Sequence, residues 1–433
     1  MKKVLIVLTA VLLLFSSCKK SNKGDNYEVM EGTRTTYVIS DIIDDIEWEL
    51  GFPIEPIVSL LQVAGIDGID ELHSVLNDPT SYETVAIRYK SVDVNGRSLW
   101  LSGRLYYPID IFGNMEIPDH IVLSNHHTAC KNSQVPSQGF GLEAGIAAND
   151  AMVVVPDYIG FGSTIDYSHP YCIPEITARN VLDMVRAARE YMENNGIHKP
   201  EKLPLYNIGY SQGGAAALAA LKYTQEHQDY AQYHFDNTYC GGGPYSMETM
   251  FHEFVDRDSC GYPVSVPLIL IGLKTAFPDI VTGDYNDYLT QDMIDLAMIS
   301  KVQSKNMDAD ALNVEIRNRF SVPEKRAVPT SKMLSEAART PGNPLYEQLV
   351  QATRKCELSR GWAPHSYVHF LHASSDDFVS YTNFELAQAN LNNSYSSFET
   401  LNYSMVKGHL LNGAIYYARV ISGAYLQNYY FSK

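Results

Sequence analysis

The stretch Leu205-Tyr206-Asn207-Ile208-Gly209-Tyr210-Ser211-Gln212-Gly213-Gly214-Ala215-Ala216-Ala217-Leu218 decides how the rest of this chain is read. An apolar run over residues 205–208 stops at Gly209-Tyr210-Ser211-Gln212-Gly213, a G-x-S-x-G pattern, and an Ala-rich helical run follows over 214–222. Strand, sharp turn, helix is the context in which such a serine stands exposed on a strained turn as a nucleophile. The flanking glycines matter because side chains at those positions would collide. The helix start then brings backbone N–H groups and the positive end of its dipole beside Ser211. The five-residue pattern alone is weak in a chain with 28 glycines. Its flanking strand and helix make it specific.

Outward from this turn, short apolar runs alternate with helical stretches. The runs cover 121–124, 151–155, 203–208, 237–240, 367–371 and 398–403; the helical stretches cover 174–195, 213–227, 381–391 and 410–427. Such alternation predicts an α/β fold, a mostly parallel sheet with helices on both faces. Before it, 82–89 and 98–107 alternate polar and apolar residues around Asn95-Gly96, which predicts a hairpin. Mixed helical periodicity over 37–76 predicts two short helices ahead of the sheet. Between 247 and 364 the alternation breaks, and helical patterns at 290–304, 329–338 and 344–357 read as an inserted helical cap. The expected layout is a core over 37–246, the cap over 247–364, and the rest of the core over 365–433.

A serine hydroxyl needs a base to take its proton, and the base needs a carboxylate to orient it. On such a sheet these follow in the order Ser, Asp or Glu, His. The run His372-Ala373-Ser374-Ser375-Asp376-Asp377-Phe378-Val379 offers the acid, Asp376 with Asp377 as its rival. His409 is the one histidine C-terminal to Asp376, and is the candidate base. Two donors should hold the oxyanion, each contributing roughly 3–4 kcal/mol. One is the backbone N–H of Gln212. The other lies in the loop Asn125-His126-His127-Thr128, after the run at 121–124.

Several stretches together carry a family likeness, over most of the chain from Tyr82 onward. They are Tyr89-Lys90-Ser91 with Ser102-Gly103, Pro156-Asp157-Tyr158-Ile159-Gly160-Phe161-Gly162, His169-Pro170-Tyr171, Gly242-Gly243-Pro244-Tyr245 and Gly361-Trp362-Ala363-Pro364. With these the chain resembles the secretory lipase family of α/β-hydrolases, the fungal secretory lipases and their bacterial relatives. The resemblance implies an ester-cleaving serine hydrolase, esterase- or lipase-like, with a helical cap over the acyl site. It implies a Ser211–His409–Asp376 triad and an acyl-enzyme resolved by water, a route that needs no metal and no organic cofactor. Related hydrolases carry Gly-x-x-Asp-x-x-Val-Pro around the acid. Here Ala373 takes the Gly place and Ser380 the Pro place, which selects Asp376. The family's oxyanion loop usually reads His-Gly-Thr, against His126-His127-Thr128 here. This assigns His127 as the second donor, with Thr128 the alternative. A peptidase or amidase on the same fold is the nearest rival reading, and a non-catalytic binding lipoprotein the more distant one.

Composition narrows the partners. With 33 Lys+Arg against 50 Asp+Glu the net charge is −17. Nucleic-acid binding needs clustered cations and is excluded as an expectation. A small-molecule, lipid or carbohydrate ester is the expected partner, and nothing in the sequence speaks to oligomeric state. Lys2 and Lys3 precede an apolar run over 4–15, too short to span a bilayer, that ends in Phe15-Ser16-Ser17-Cys18. This resembles a bacterial lipoprotein signal peptide over 1–17. It implies cleavage before Cys18, lipid attachment there, and a membrane-anchored place in the cell envelope. Residues 18–36 then read as a tether. Five cysteines remain, an odd number. In an oxidising compartment Cys260–Cys356 or Cys130–Cys172 are possible pairs, with connectivity left open. Along a strand His372 would point opposite to His369, so His365, His369 and His372 read as strand and loop histidines, not a metal site. Gly241-Gly242-Gly243 lacks a following Lys-Ser/Thr and is no phosphate loop. The 30 tyrosines read as packing residues.

Overall fold

The computed structural model describes residues 20–44, 47, 53–66, 69–324, 326–404 and 406–425. The signal-peptide reading of 1–17 and the lipidation site Cys18 lie outside these residues. Asp93 starts the hairpin turn: its carboxylate accepts the N–H groups of Asn95 (2.8 Å) and Arg97 (2.9 Å). Gly96 completes it at φ +76°, a conformation that favours glycine. The two strands so joined, β3 (Tyr82–Val92) and β4 (Ser98–Pro108), pair along their whole length. Two short strands, β1 (Tyr27–Val29) and β2 (Thr35–Tyr37), both add to β3.

From β4 the sheet continues as β5 (His120–Asn125), β6 (Ala151–Pro156), β7 (Leu205–Tyr210), β8 (Asn237–Gly241), β9 (Tyr367–Ala373) and β10 (Ser396–Leu401). The spatial order is β1-β3-β4-β6-β5-β7-β8-β9-β10, and the last six strands are mutually parallel. β6 and β7 are buried at every position, and the apolar run of β6 is what a sheet covered on both faces requires; the polar Asn207 of β7 is hydrogen-bonded to Ala217 O and to Asn125. β5 shows the two faces residue by residue. Ile121 and Leu123 pack with residues of helices α3 (Pro174–Asn194) and α4 (Gln212–Glu226). Val122 packs on the other side, with Val58 and Leu61 of α1 (Ile54–Val63), Leu72 of α2 (Ile69–Leu76) and Ile415 of α10 (His409–Ile421).

Between β8 and β9 the chain leaves the sheet for a run of helices. The longer ones are α5 (Met247–Asp256), α6 (Ser265–Ala276), α7 (Ala309–Arg319) and α8 (Pro344–Arg354). Helix α9 (Thr382–Leu391) then links β9 to β10. The likeness to an α/β-hydrolase sheet is thus complete from the hairpin to α10. Tyrosines fill it: among the described residues, ten of the twelve largest wholly buried side chains are Tyr.

Two sequence expectations need correction. Residues 18–36 are not a free tether over their described part. β1 and β2 pair with β3, and Lys20 and Arg34 both grip Glu83, at 2.6 and 2.7 Å. Glu190 of α3 accepts the N–H and side-chain amide of Asn26, both at 2.8 Å. Neither proposed disulfide forms: Cys130, Cys172, Cys240, Cys260 and Cys356 are all free and buried. Burial pushes their thiols up, to about 12 for Cys130 and Cys172. They pack as small apolar groups, protonated and enclosed.

Candidate active site

Ser211 stands between β7 and α4 at φ +60°, ψ −124°, in the left-handed half of the map that a serine rarely enters. The glycines around it are steric necessities. A Cβ on Gly209 would lie 2.0 Å from the carbonyl oxygen of Gly213, and one on Gly213 would lie 1.9 Å from that of Asn125. The second closeness has a purpose in the architecture. It lets the loop after β5 lie directly on the turn that carries Ser211. The N–H of Ser211 is used within the fold, donating to Gly241 O at 2.9 Å. Gln212 opens α4, where the first four N–H groups have no partner within the helix. Its side chain is held: Gln212 Nε2 donates to His169 Nε2 at 2.9 Å, while His169 Nδ1 donates to Ile159 O at 2.7 Å. Burial drives His169 down to about 3, so this imidazole is neutral and able to accept.

The loop Asn125–Thr128 is braced from below. The ring of His126 stacks on Tyr158 at 4.3 Å and its Nδ1 donates to His127 O at 2.6 Å. Tyr158, itself at φ +67°, donates its hydroxyl to His126 O at 3.1 Å. Asp157 is fully buried and accepts Ser102 Oγ (2.6 Å) and the N–H of Ser137 (2.8 Å). Tyr158 therefore supports the loop directly, and the Asp157 carboxylate ties Ser102 to Ser137 beside it. Thr128 pairs with the Tyr171 hydroxyl at 2.9 Å. His127 lines the same cavity as Ser211 and His409.

Asp376 and Asp377 do different things. The side chain of Asp376 is wholly buried. Its Oδ1 accepts the N–H groups of Phe378 (2.9 Å) and Val379 (2.8 Å), and its Oδ2 faces His409 Nδ1 at 2.7 Å. Burial pushes this carboxyl up, but His409, His372 and the backbone donors outweigh it and leave the group below its usual range. Asp377 takes the backbone instead: its Oδ1 accepts the N–H of His409 at 2.9 Å. The acid and its rival thus hold the ring and the main chain of one histidine. His409 is 4% exposed and its ring lies against Phe378 (5.1 Å between centroids) and Tyr210 (4.9 Å). The Tyr210 hydroxyl donates to His409 O at 2.7 Å. Tyr416, on the same helix, accepts the N–H of Gly209 (2.7 Å) and donates to Tyr239 O (2.8 Å).

Three contributors escaped sequence reading. His372 sits 3.4 Å from Asp376 Oδ2 with its Nε2 donating to Val379 O at 3.1 Å. Its spacing pattern was visible, but only the fold puts it on the acid. Tyr210 and Tyr416 join the nucleophile turn to α10, across 200 residues of chain. Among the described residues no cluster of His, Cys, Asp or Glu is placed to hold a metal ion. Ser211, His409 and His127 open onto a cavity of about 580 Å³, a usual size for a small-molecule site.

The family model for secretory lipases matches residues 142–416 of this chain. No curated protein matches its sequence. Solved structures share its fold at low identity. A protein described as a hydrolase from Legionella pneumophila is 16% identical, with 93% of this chain and 97% of that one aligned at a TM-score of 0.68. A rice cell wall degrading esterase from Xanthomonas oryzae, in a ligand-bound form, is 15% identical over 92% and 96% of the two chains, TM-score 0.65. Lipase A of Candida antarctica is 14% identical over 79% and 75%, TM-score 0.53.

Proposed function

Since this chain belongs to the secretory lipase family and is a carboxylic ester hydrolase, we propose that it works through Ser211, His409 and Asp376 by way of an acyl-enzyme. Ser211 Oγ attacks the ester carbonyl as His409 Nε2 takes its proton. The carbonyl oxygen becomes an oxyanion held by the N–H groups of Gln212 and His127. Collapse expels the alcohol, which takes the proton back from His409. Water then adds to the acyl-enzyme by the same relay and frees the acid and Ser211. Asp376 keeps Nδ1 protonated so that Nε2 is free to act as base.

The observation that carries this reading is the buried 2.7 Å contact between Asp376 Oδ2 and His409 Nδ1, on the wall of the cavity that holds Ser211. A fluorophosphonate probe tests it. Ser211 should be the labelled residue in peptide mapping, and p-nitrophenyl esters should be hydrolysed far faster than aminoacyl amides. Absence of labelling in folded protein would remove the triad. Faster amide cleavage would make this a peptidase or amidase.

The chain also enters the envelope as a lipoprotein in this reading. The support is Lys2-Lys3, the apolar run over 4–15 and the cysteine that follows Ser16-Ser17. Among the described residues no helix is long and apolar enough to cross a membrane. Attachment is then through lipid on Cys18, at about 0.8 kcal/mol per buried CH₂. Labelled palmitate fed to expressing bacteria should enter the wild-type protein and not Cys18→Ser. Equal labelling of both would refute the anchor.

A further inference from the structure

We propose that the hydrocarbon chain of the ester lies in a channel walled by the N-terminal helix pair, α1 and α2, and by α10. This rests on Ser211 and His409 being the reacting pair.

Three helices turn matching apolar stripes onto the cavity. On α10 these are Leu410, Gly413, Ala414, Tyr417, Ala418 and Ile421, spaced i, i+3, i+4, i+7, i+8, i+11. On α1 they are Ile54, Ile57, Val58 and Leu61, spaced i, i+3, i+4, i+7. Leu72 and Leu76 of α2 complete the wall. Such spacing is the face a helix normally seals against a partner. Here the faces leave a space between them, because α10 offers Ala414 and Ala418 where larger residues would close it, while Gly413 makes room for the Tyr210 ring. An apolar wall facing a void lacks the contacts that packing would supply, and an alkyl chain would provide them.

The space is continuous with the chemistry. Its α10 wall begins at His409 itself and runs about 18 Å to Ile421, at 1.5 Å per residue. No charged residue of these three helices lines it. The charged lining, Lys131, Asp308 and Asp310, comes from other elements. The lining of the cavity is thus free of charge on these three helices and carries its charged groups elsewhere, with Ser211 among the residues it exposes. An ester with one hydrocarbon chain and one polar part fits that division. Helices α1 and α2 also precede the stretch 142–416 that matches the family model, so their side of the wall is supplied by residues outside that match.

The test compares chain lengths. Wild-type kcat/KM should rise about fourfold for each methylene admitted to the channel. Ala414→Phe fills the channel from α10 and Ile57→Trp from α1. Ile269→Trp fills the cavity from α6, away from these three helices, and serves as the control. Two series are measured: p-nitrophenyl esters from acetate to dodecanoate, and alkyl acetates of rising alcohol length. The first detects an acyl chain in the channel and the second an alcohol chain. In one series, Ala414→Phe and Ile57→Trp should each lower the long-to-short ratio of kcat/KM at least thirtyfold, and Ile269→Trp should not. Because the readout is a ratio within one preparation, partial misfolding does not imitate it. Ala414→Val is the milder substitution if Ala414→Phe yields no folded protein, with a smaller drop in the same direction. Unchanged ratios in both series, or a drop confined to Ile269→Trp, would overturn the channel. Loss of all ester turnover and probe labelling in the wild type would instead strike the triad reading.

Discussion

Replacing Ser211 by Ala is expected to lower kcat for ester hydrolysis by roughly a millionfold, with the fold intact. The two halves of that expectation have separate causes. Without Oγ there is no atom to form the acyl-enzyme, and His409 has no proton to take. The backbone, however, is set by its surroundings: glycines at 209 and 213, the carbonyl of Asn125 packed on Gly213, and the N–H of Ser211 donating to Gly241 O. Alanine has the same Cβ in the same left-handed conformation, φ +60°, so little is added to strain already present. Single-turnover assays and thermal unfolding together check this. Retained turnover would reassign the nucleophile, and a large fall in melting temperature would make the loss of activity uninformative.

Asp376→Asn should lower kcat by roughly 10⁴-fold, and Asp377→Asn by less than about tenfold. The hydrogen bonds explain the gap. Oδ1 of Asp376 accepts two backbone N–H groups, from Phe378 and Val379. An asparagine would keep its carbonyl oxygen there and turn its NH₂ toward His409. His409 Nδ1 would then have to accept, moving the ring proton to Nε2, where it blocks attack by the base. Asp377 instead accepts the main-chain N–H of His409 through Oδ1, a role that an amide oxygen fills. Steady-state kinetics on both variants decides the assignment. The reverse ranking would make Asp377 the acid.

Ser211, the Asn95-Gly96 hairpin and the α/β alternation were legible because each is local. A turn, a period of two and a strand followed by a helix are written within a few residues. The spacing shared with related hydrolases pointed to Asp376 over Asp377, but the division of labour between them was not local. Only the path of the loop after β9 sets one carboxylate on the ring and the other on the main chain of His409. β1 and β2 were hidden for another reason. Strands of three residues carry no periodicity, and they are held by main-chain pairing to β3 and by ion pairs to Glu83. The apolar stripes of α1 and α10 could each be read as helical. That they face one cavity depends on contacts between segments some 350 residues apart, which no local pattern records. The cysteine pairings failed likewise, since spacing in sequence says nothing of which packing layer encloses a thiol.

The Glu83 grip on Lys20 sets a limit on reach. If lipid holds the chain at Cys18, only one residue lies between that anchor and Lys20, whose side chain is already fastened to the sheet. Those two chain steps extend at most about 7 Å. The catalytic body would then rest almost on the bilayer with one flank toward it, unable to sweep a wide volume. Such an enzyme would meet substrates that arrive at, or reside in, the surface to which it is attached.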